Sequence, residues 1–229
     1  MIVVEKEIIY FSSPRRVTLP KGLLKKSPPP SSSGIYGWYF DYSYYGLPTH
    51  VPTTECTFCS TGRWWFNKRH WVLLYIGKAS NLYERIVKEH LYGELVRGKA
   101  QSSLRQSLGC LLCKKLRINL WKYPDFPRRE YIFGDEGESK LSRWMWEHTG
   151  VTWVETENID EREKQAIEYY VLPLNMKGNE HWFIEPLRTL KKDLRDCAPF
   201  LGGKRPRRKV RKAYKKFKRL CEKRLNGEE

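Results

Sequence analysis

Two short strings constrain this chain more than any other feature. Gly34-Ile35-Tyr36 opens a run that continues through Trp38 and Phe40, and Tyr75-Ile76-Gly77 closes a second run that begins at Trp71. Both runs are rich in β-branched and aromatic residues, which suit a pleated, half-buried surface. A two-strand hairpin is the simplest pairing, interrupted by an insertion at about residues 41–70 that is long for such a connection. The insertion holds Tyr44-Tyr45-Gly46, Cys56-Thr57-Phe58-Cys59 and Trp64-Trp65.

The second run leads straight into a helix. Asn81 is a good N-cap with Glu84 three residues on, and Leu82, Ile86, Val87 and Leu91 form an apolar stripe that predicts a helix to about Val96. A second helix is expected from Ser102-Ser103, burying Leu104, Leu108, Leu111, Leu112 and Leu116, and a third from about Ser139 to His148, stopped by Gly150. Val151 to Glu155 alternates as a strand, Asp160 is placed to cap a helix ending before Pro173, and a last helix covers Ile184 to Cys197. The expected fold is α/β in the α+β sense, a small mixed or antiparallel central sheet flanked by helices.

Charge narrows the class of partner. The 229 residues carry 43 Lys and Arg against 26 Asp and Glu, a formal charge of +17, which favours polyanions through counterion release. The excess is uneven. Lys204, Arg205, Arg207, Arg208, Lys209, Arg211, Lys212, Lys215 and Lys216 crowd the tail, with Lys218, Arg219, Lys223 and Arg224 beyond them and Glu222 the single acid between Lys204 and Arg224. Val210, Tyr214, Phe217, Leu220 and Cys221 recur at spacings of three and four, the stripe of an amphipathic basic helix. A solvated disordered tail is the alternative, and either form would contact phosphates without reading bases.

The domain plan is residues 1–33 as an N-terminal strand (Met1 to Tyr10) and a Pro/Ser-rich linker, 34–200 as the folded domain, and 201–229 as the basic tail. Met1 to Tyr10 mixes Ile and Val with Glu5, Lys6 and Glu7, unlike a signal peptide, and no run of about 18 apolar residues occurs anywhere. A cytoplasmic protein without a membrane partner is expected.

Gly34 to Tyr36, then Tyr75 to Gly77 followed by Lys78-Ala79-Ser80-Asn81-Leu82-Tyr83-Glu84-Arg85, resemble the signature of the GIY-YIG endonuclease family, in which a Gly-Lys-Ala-x-Asn-Leu-x-x-Arg run follows the second tyrosine motif. The family also places a metal-binding Glu on a later helix with an Asn about a dozen residues beyond, which Glu163 and Asn175 match across Pro173. Ser102-Ser103-Leu104-Arg105 to Leu112, with Gly137-Glu138 and Trp144-Met145, resemble a little-described prokaryotic branch of the same family. The resemblance runs from about Gly34 to Asn179. It implies a metal-dependent DNA endonuclease that leaves 5′-phosphate and 3′-hydroxyl ends.

Phosphodiester hydrolysis needs an attacking water, a base, and positive charge where negative charge grows. Glu163 is the expected direct ligand of one Mg2+ or Mn2+, an ion that keeps most of its waters; read from spacing alone, it could instead close a capping box with Asp160. Arg85 would stabilise the phosphoryl oxygens with its planar fork, or else pair with Glu89 one turn on. Tyr75 is the candidate general base, and nearby cations would have to draw off its proton. Lys78 is the rival base. Tyr36 would bind the attacking water or a phosphate oxygen, or simply pack in an aromatic sheet. His90 resembles a family histidine after the arginine, five residues on where better-known members have four; the alternative is a helix-surface histidine. Asn175 would brace the active-site backbone, since its amide both donates and accepts, or would serve only as a turn residue.

The six cysteines include two pairs with metal-ligand spacing, Cys56 with Cys59 and Cys110 with Cys113. A structural Zn2+, disulfides and unpaired core thiols are the three readings. The functional expectation is a DNA endonuclease with Tyr36, Tyr75, Lys78, Arg85, His90, Glu163 and Asn175 at its centre; an inactive nucleic-acid-binding module or an RNA-binding protein on the same fold is the alternative. Oligomeric state is not encoded in any motif.

Overall fold

A computed structural model describes residues 28–41, 63–66, 69–93, 102–122, 131–170, 172–204 and 206–227. The elements in chain order are strands β1 (Gly34–Asp41), β2 (Arg63–Phe66) and β3 (Arg69–Ala79), and helices α1 (Glu84–Tyr92) and α2 (Ser103–Leu116). Next comes a two-residue ribbon, β4 (Trp121–Lys122) with β5 (Tyr131–Ile132), and then α3 (Gly134–His148), β6 (Thr149–Glu155), α4 (Ile159–Tyr169), α5 (Ile184–Asp196) and α6 (Arg207–Leu225). The expected N-terminal strand, Cys56, Cys59 and most of the insertion lie outside the described residues.

The main sheet runs β2-β3-β1-β6, and every neighbouring pair is antiparallel. Its two faces are both covered. Tyr36, Trp38, Phe40, Val72, Leu74 and Tyr75 enter the larger core with α1, α2, α3, α5 and α6, whereas Ile35, Tyr39, Trp71, Leu73 and Ile76 meet Ala166, Tyr170 and Leu172 on the α4 side.

One irregularity in β3 sets which face Tyr75 occupies. Trp38 pairs with Tyr75 but Tyr39 pairs with Leu73, so Leu74 is an extra residue, a β-bulge. Strict alternation from Trp71 and Leu73 would turn Tyr75 toward α4; the bulge instead puts Leu74 and Tyr75 on the larger-core side. Its freed carbonyl accepts from the Leu174 amide at 3.1 Å. β2 pairs with β3 only as far as Val72. Beyond it the exposed edge is covered by Asn175, whose side chain accepts from Ile76 N at 2.9 Å and donates to Ile76 O at 2.7 Å, as a neighbouring strand would.

Several boundaries depart from the sequence pattern. Asn81 does cap α1, its side chain accepting from Glu84 N at 2.9 Å, but the helix ends at Tyr92, where Gly93 adopts φ 75° and returns its amide to Lys88 O. The left-handed Gly93 closes the last described turn; the predicted end at Val96 lies outside the described residues. α3 begins at Gly134, ahead of Ser139, and Gly150 sits inside β6. Asn158 precedes α4, leaving Asp160 in its first turn with its carboxylate free for other work. Ser102 caps α2 as expected, accepting from Arg105 N at 2.9 Å. The end of the Pro/Ser-rich stretch is stitched to the domain: Leu82 N and Tyr83 N donate to Ser32 O and Pro30 O, and Thr156 N donates to Ser33 O.

Candidate active site

The site is built around a buried hydroxyl. Tyr36 is fully buried, its Oη 2.7 Å from His90 Nε2 and 3.2 Å from the Arg85 Nε that donates to it. Burial, reinforced by neighbouring Tyr75, raises the Tyr36 pKa well above 10 against the opposing pull of Arg85, so the phenol keeps its proton. Burial first, then Arg85 and Arg105, hold His90 well below the usual histidine range. A neutral imidazole therefore accepts at Nε2 from the Tyr36 hydroxyl, and carries its own proton on Nδ1, an atom without a partner among the described residues. The ring stands edge-on to Trp38 and Tyr75, 5.9 and 6.1 Å between centroids. His90 is thus no surface histidine, and the Tyr36 hydroxyl is engaged by protein where the sequence suggests an attacking water.

The winding of α1 explains how residues five apart reach one hydroxyl. Glu84–Tyr92 is a π-helix, whose backbone bonds run i→i+5. Five residues there complete the turn that four complete in an α-helix, so Arg85 and His90 lie over one another on Tyr36. Arg85 also pairs with Glu89, so the alternative partner foreseen for it is present together with the tyrosine contact.

Gly77 faces Tyr36 across the strand pair, and a Cβ there would lie 2.5 Å from Tyr36 Oη and 3.0 Å from Tyr75 Cε1. The second motif's glycine is the space in which the first motif's tyrosine ring sits. Asn175 is clamped on Ile76, between Tyr75 and Gly77, by one accepted and one donated hydrogen bond.

The other half of the predicted constellation lies on the α4 side. Lys78 is paired with Ile35 in the strand register, three residues and about 10 Å beyond Tyr75 along β3. Its Nζ is 2.6 Å from Glu163 and 2.8 Å from Asp160. Hydrogen bonds to Asp160 and then Glu163 raise the Lys78 pKa, which makes it a poor base. The capping-box alternative for Glu163 fails, since neither carboxylate caps α4 and both turn to one cation.

A match to the GIY-YIG catalytic domain covers residues 34–196. The chain belongs to the GIY-YIG family. Its domain is of a nuclease class that acts on nucleic acid and generally uses a divalent metal. Neither a search of curated proteins nor one of solved structures returns a match.

The donors of this GIY-YIG domain suit such an ion. Asp160 and Glu163 offer hard carboxylate oxygens already converging on one positive charge, and Mg2+ takes one or two carboxylates with water completing its shell. The sequence pattern marks Asp160 only as a cap; its spacing of three from Glu163, one helical face, is the signal that could pair them. Among the described residues no group of three or more His, Cys, Asp or Glu gathers for a metal. Cys110 and Cys113 are buried thiols on α2 that form no disulfide; Cys113 donates to Ile118 O at 2.8 Å and burial pushes the Cys110 pKa up to about 12, the behaviour of core thiols.

One further pair joins two of the strings that carry the resemblance to the prokaryotic branch, Ser102 to Leu112 and Gly137-Glu138. Arg105, fully buried, meets Glu138 at 2.6 Å and donates to His90 O at 2.8 Å and Leu91 O at 3.2 Å, satisfying the open carbonyls that end α1. Arg105 and Glu138 are 33 positions apart, and nothing local marks them as partners. Among the described residues no helix is long and apolar enough to cross a membrane.

Proposed function

We propose that the protein is a DNA endonuclease that hydrolyses phosphodiesters with one Mg2+ or Mn2+. The observation that carries this reading is the gathering of Asp160 and Glu163 on one cation at the end of β3 that also bears Tyr75 and Gly77. Held by those carboxylates, the metal would supply positive charge to the leaving oxygen. Arg85, its Nε pinned by Tyr36, keeps other guanidinium N–H groups for a phosphoryl oxygen. Tyr75, as its phenolate, is the acceptor we assign to the proton of the attacking water; Lys78 stays the rival base, because a metal on Asp160 and Glu163 would take over the two carboxylates that now hold it as an ammonium. Tyr36, His90 and Asn175 are positioning residues: the first two orient Arg85, and the third holds Tyr75's strand. The exposed cations Lys204, Arg207, Arg208, Lys209, Arg211, Lys212, Lys215 and Lys216 contribute backbone contacts.

Supercoiled DNA incubated with wild type, Glu163→Gln and Arg85→Lys, in Mg2+, in Mn2+ and in chelator, tests this reading. Nicking by wild type that needs the metal and falls at least about 10²-fold in both variants is expected. Cleavage that survives chelator or Glu163→Gln would remove the carboxylate pair from the chemistry, and cleavage of RNA alone would replace the substrate.

A further inference from the structure

Helix α6 has two unlike flanks. On one, Lys209, Lys212 and Lys216 face Asp193 and Asp196 of α5, with Lys216 Nζ 3.1 Å from Asp193. On the other, Arg207 and Arg211 meet Lys114 and Arg117 from the last turn of α2 around a cleft of about 360 Å3, floored by Val210 and Tyr214. No carboxylate lines that cleft, and none of its four cations is ion-paired among the described residues.

We propose that this cleft is a second nucleic-acid contact, a phosphate-backbone grip separate from the reacting end of β3; it rests on the nucleic-acid substrate proposed above. Gathering four like charges costs free energy unless a polyanion offsets it. Lys114 suits the negative end of the α2 dipole, but Arg207, Arg208 and Lys209 occupy a first turn of α6 that holds no acid, where cations are disfavoured. Arg117 adds an independent sign. It is the single non-glycine residue with positive φ among the described residues (φ 53°, ψ 38°), at a helix end where glycine is preferred. A strained backbone that keeps an arginine points to a use for the guanidinium, which takes phosphate oxygens two at a time.

The cleft is also held in shape. The Tyr214 hydroxyl donates to Cys110 O and accepts from Lys114 N at 3.4 Å, tying α6 to the α2 carbonyl end. Helix α2 thus joins two jobs: Arg105 in its first turn closes the helix that carries His90, and Lys114, nine residues and about 14 Å on, lines the cleft.

Anisotropy of a labelled DNA duplex across a salt series, with the full chain in chelator, tests the grip without depending on cleavage. Lys114→Gln/Arg117→Gln should weaken binding about tenfold near 0.1 M salt and flatten the log–log salt slope by about 2. A charge-matched control, Lys140→Gln/Arg188→Gln, removes two surface cations that already face Glu136 and Glu185 and should change the slope by less than half as much. Arg117→Gly separates binding from folding: glycine relieves the left-handed backbone, so Tm should rise while affinity falls. Equal losses in both pairs, no loss at Lys114 and Arg117, or no binding of DNA by wild type overturns the grip. An RNA duplex run alongside shows which nucleic acid it prefers, and a loss confined to anionic phosphatidylserine vesicles overturns it in favour of a membrane surface. Failure of metal-dependent cleavage with binding intact would sink the endonuclease reading and leave the grip standing.

Discussion

Gly77 decides whether the two motif tyrosines can coexist. Tyr36 cannot swing away from an added methyl, because it is fully buried and its hydroxyl is held by Arg85 and His90. Gly77→Ala is therefore expected to cost about 1–3 kcal/mol in urea unfolding and, by displacing Arg85, about 10²-fold in cleavage. A loss of stability without loss of cleavage would show that Tyr36 does not position the arginine. His90 predicts a pH effect. Its native pKa lies below the usual 6.5, so the unfolded chain binds that proton first as pH falls. Stability is then full above about 6.5 and declines below it, by up to about 1.4 kcal/mol per pH unit. His181, lowered by burial to about 4, adds to the same decline. Denaturation midpoints between pH 7 and 5 should fall less steeply in His90→Gln than in wild type.

At the scale of elements, two irregularities aim the site. The bulge at Leu74 re-aims Tyr75 from the α4 face to the face of Tyr36, and the π winding of α1 brings Arg85 and His90 onto one hydroxyl. Deleting Lys88, a partly exposed residue of that helix, shortens the interval to four and should let it wind as an ordinary α-helix with both contacts kept. Cleavage within about tenfold of wild type is expected, whereas one alanine inserted after Lys88 should abolish it. If the deletion is as damaging as the insertion, the winding is not what sets the register. The helix itself was legible, since Asn81, Leu82, Ile86 and Leu91 announce it. Its winding was not, because the same stripe fits either period over so few residues.

For the molecule as a whole, the basic tail is a structural part of the domain. Phe217 is buried against Phe183, 5.8 Å between ring centroids, and Ala213 and Cys221 are buried beside it. Phe217→Ala should cost about 3–5 kcal/mol in chemical denaturation, a result that a solvated tail would not give. The two covered faces of the sheet also divide the labour: the larger core holds the tyrosine, arginine and histidine cluster, and the α4 face holds the carboxylates. The proposed chemistry requires both groups to meet one phosphodiester at the end of the β1–β3 pair.

The residues by themselves determined the family, the mixed α/β character, the capped starts of α1 and α2, and a basic amphipathic C-terminal helix. These rest on local spacing and charge, which the chain carries whatever its fold. Tertiary structure alone decided that Tyr75 turns to Tyr36, that Asp160 leaves its cap to join Glu163 on Lys78, and that Arg105 finds Glu138. It also decided that Lys114 and Arg117 join the arginines of α6. Each of these depends on a pairing register or a helix docking between segments far apart in sequence, and such contacts are set by which surfaces bury together, a quantity that no local pattern contains.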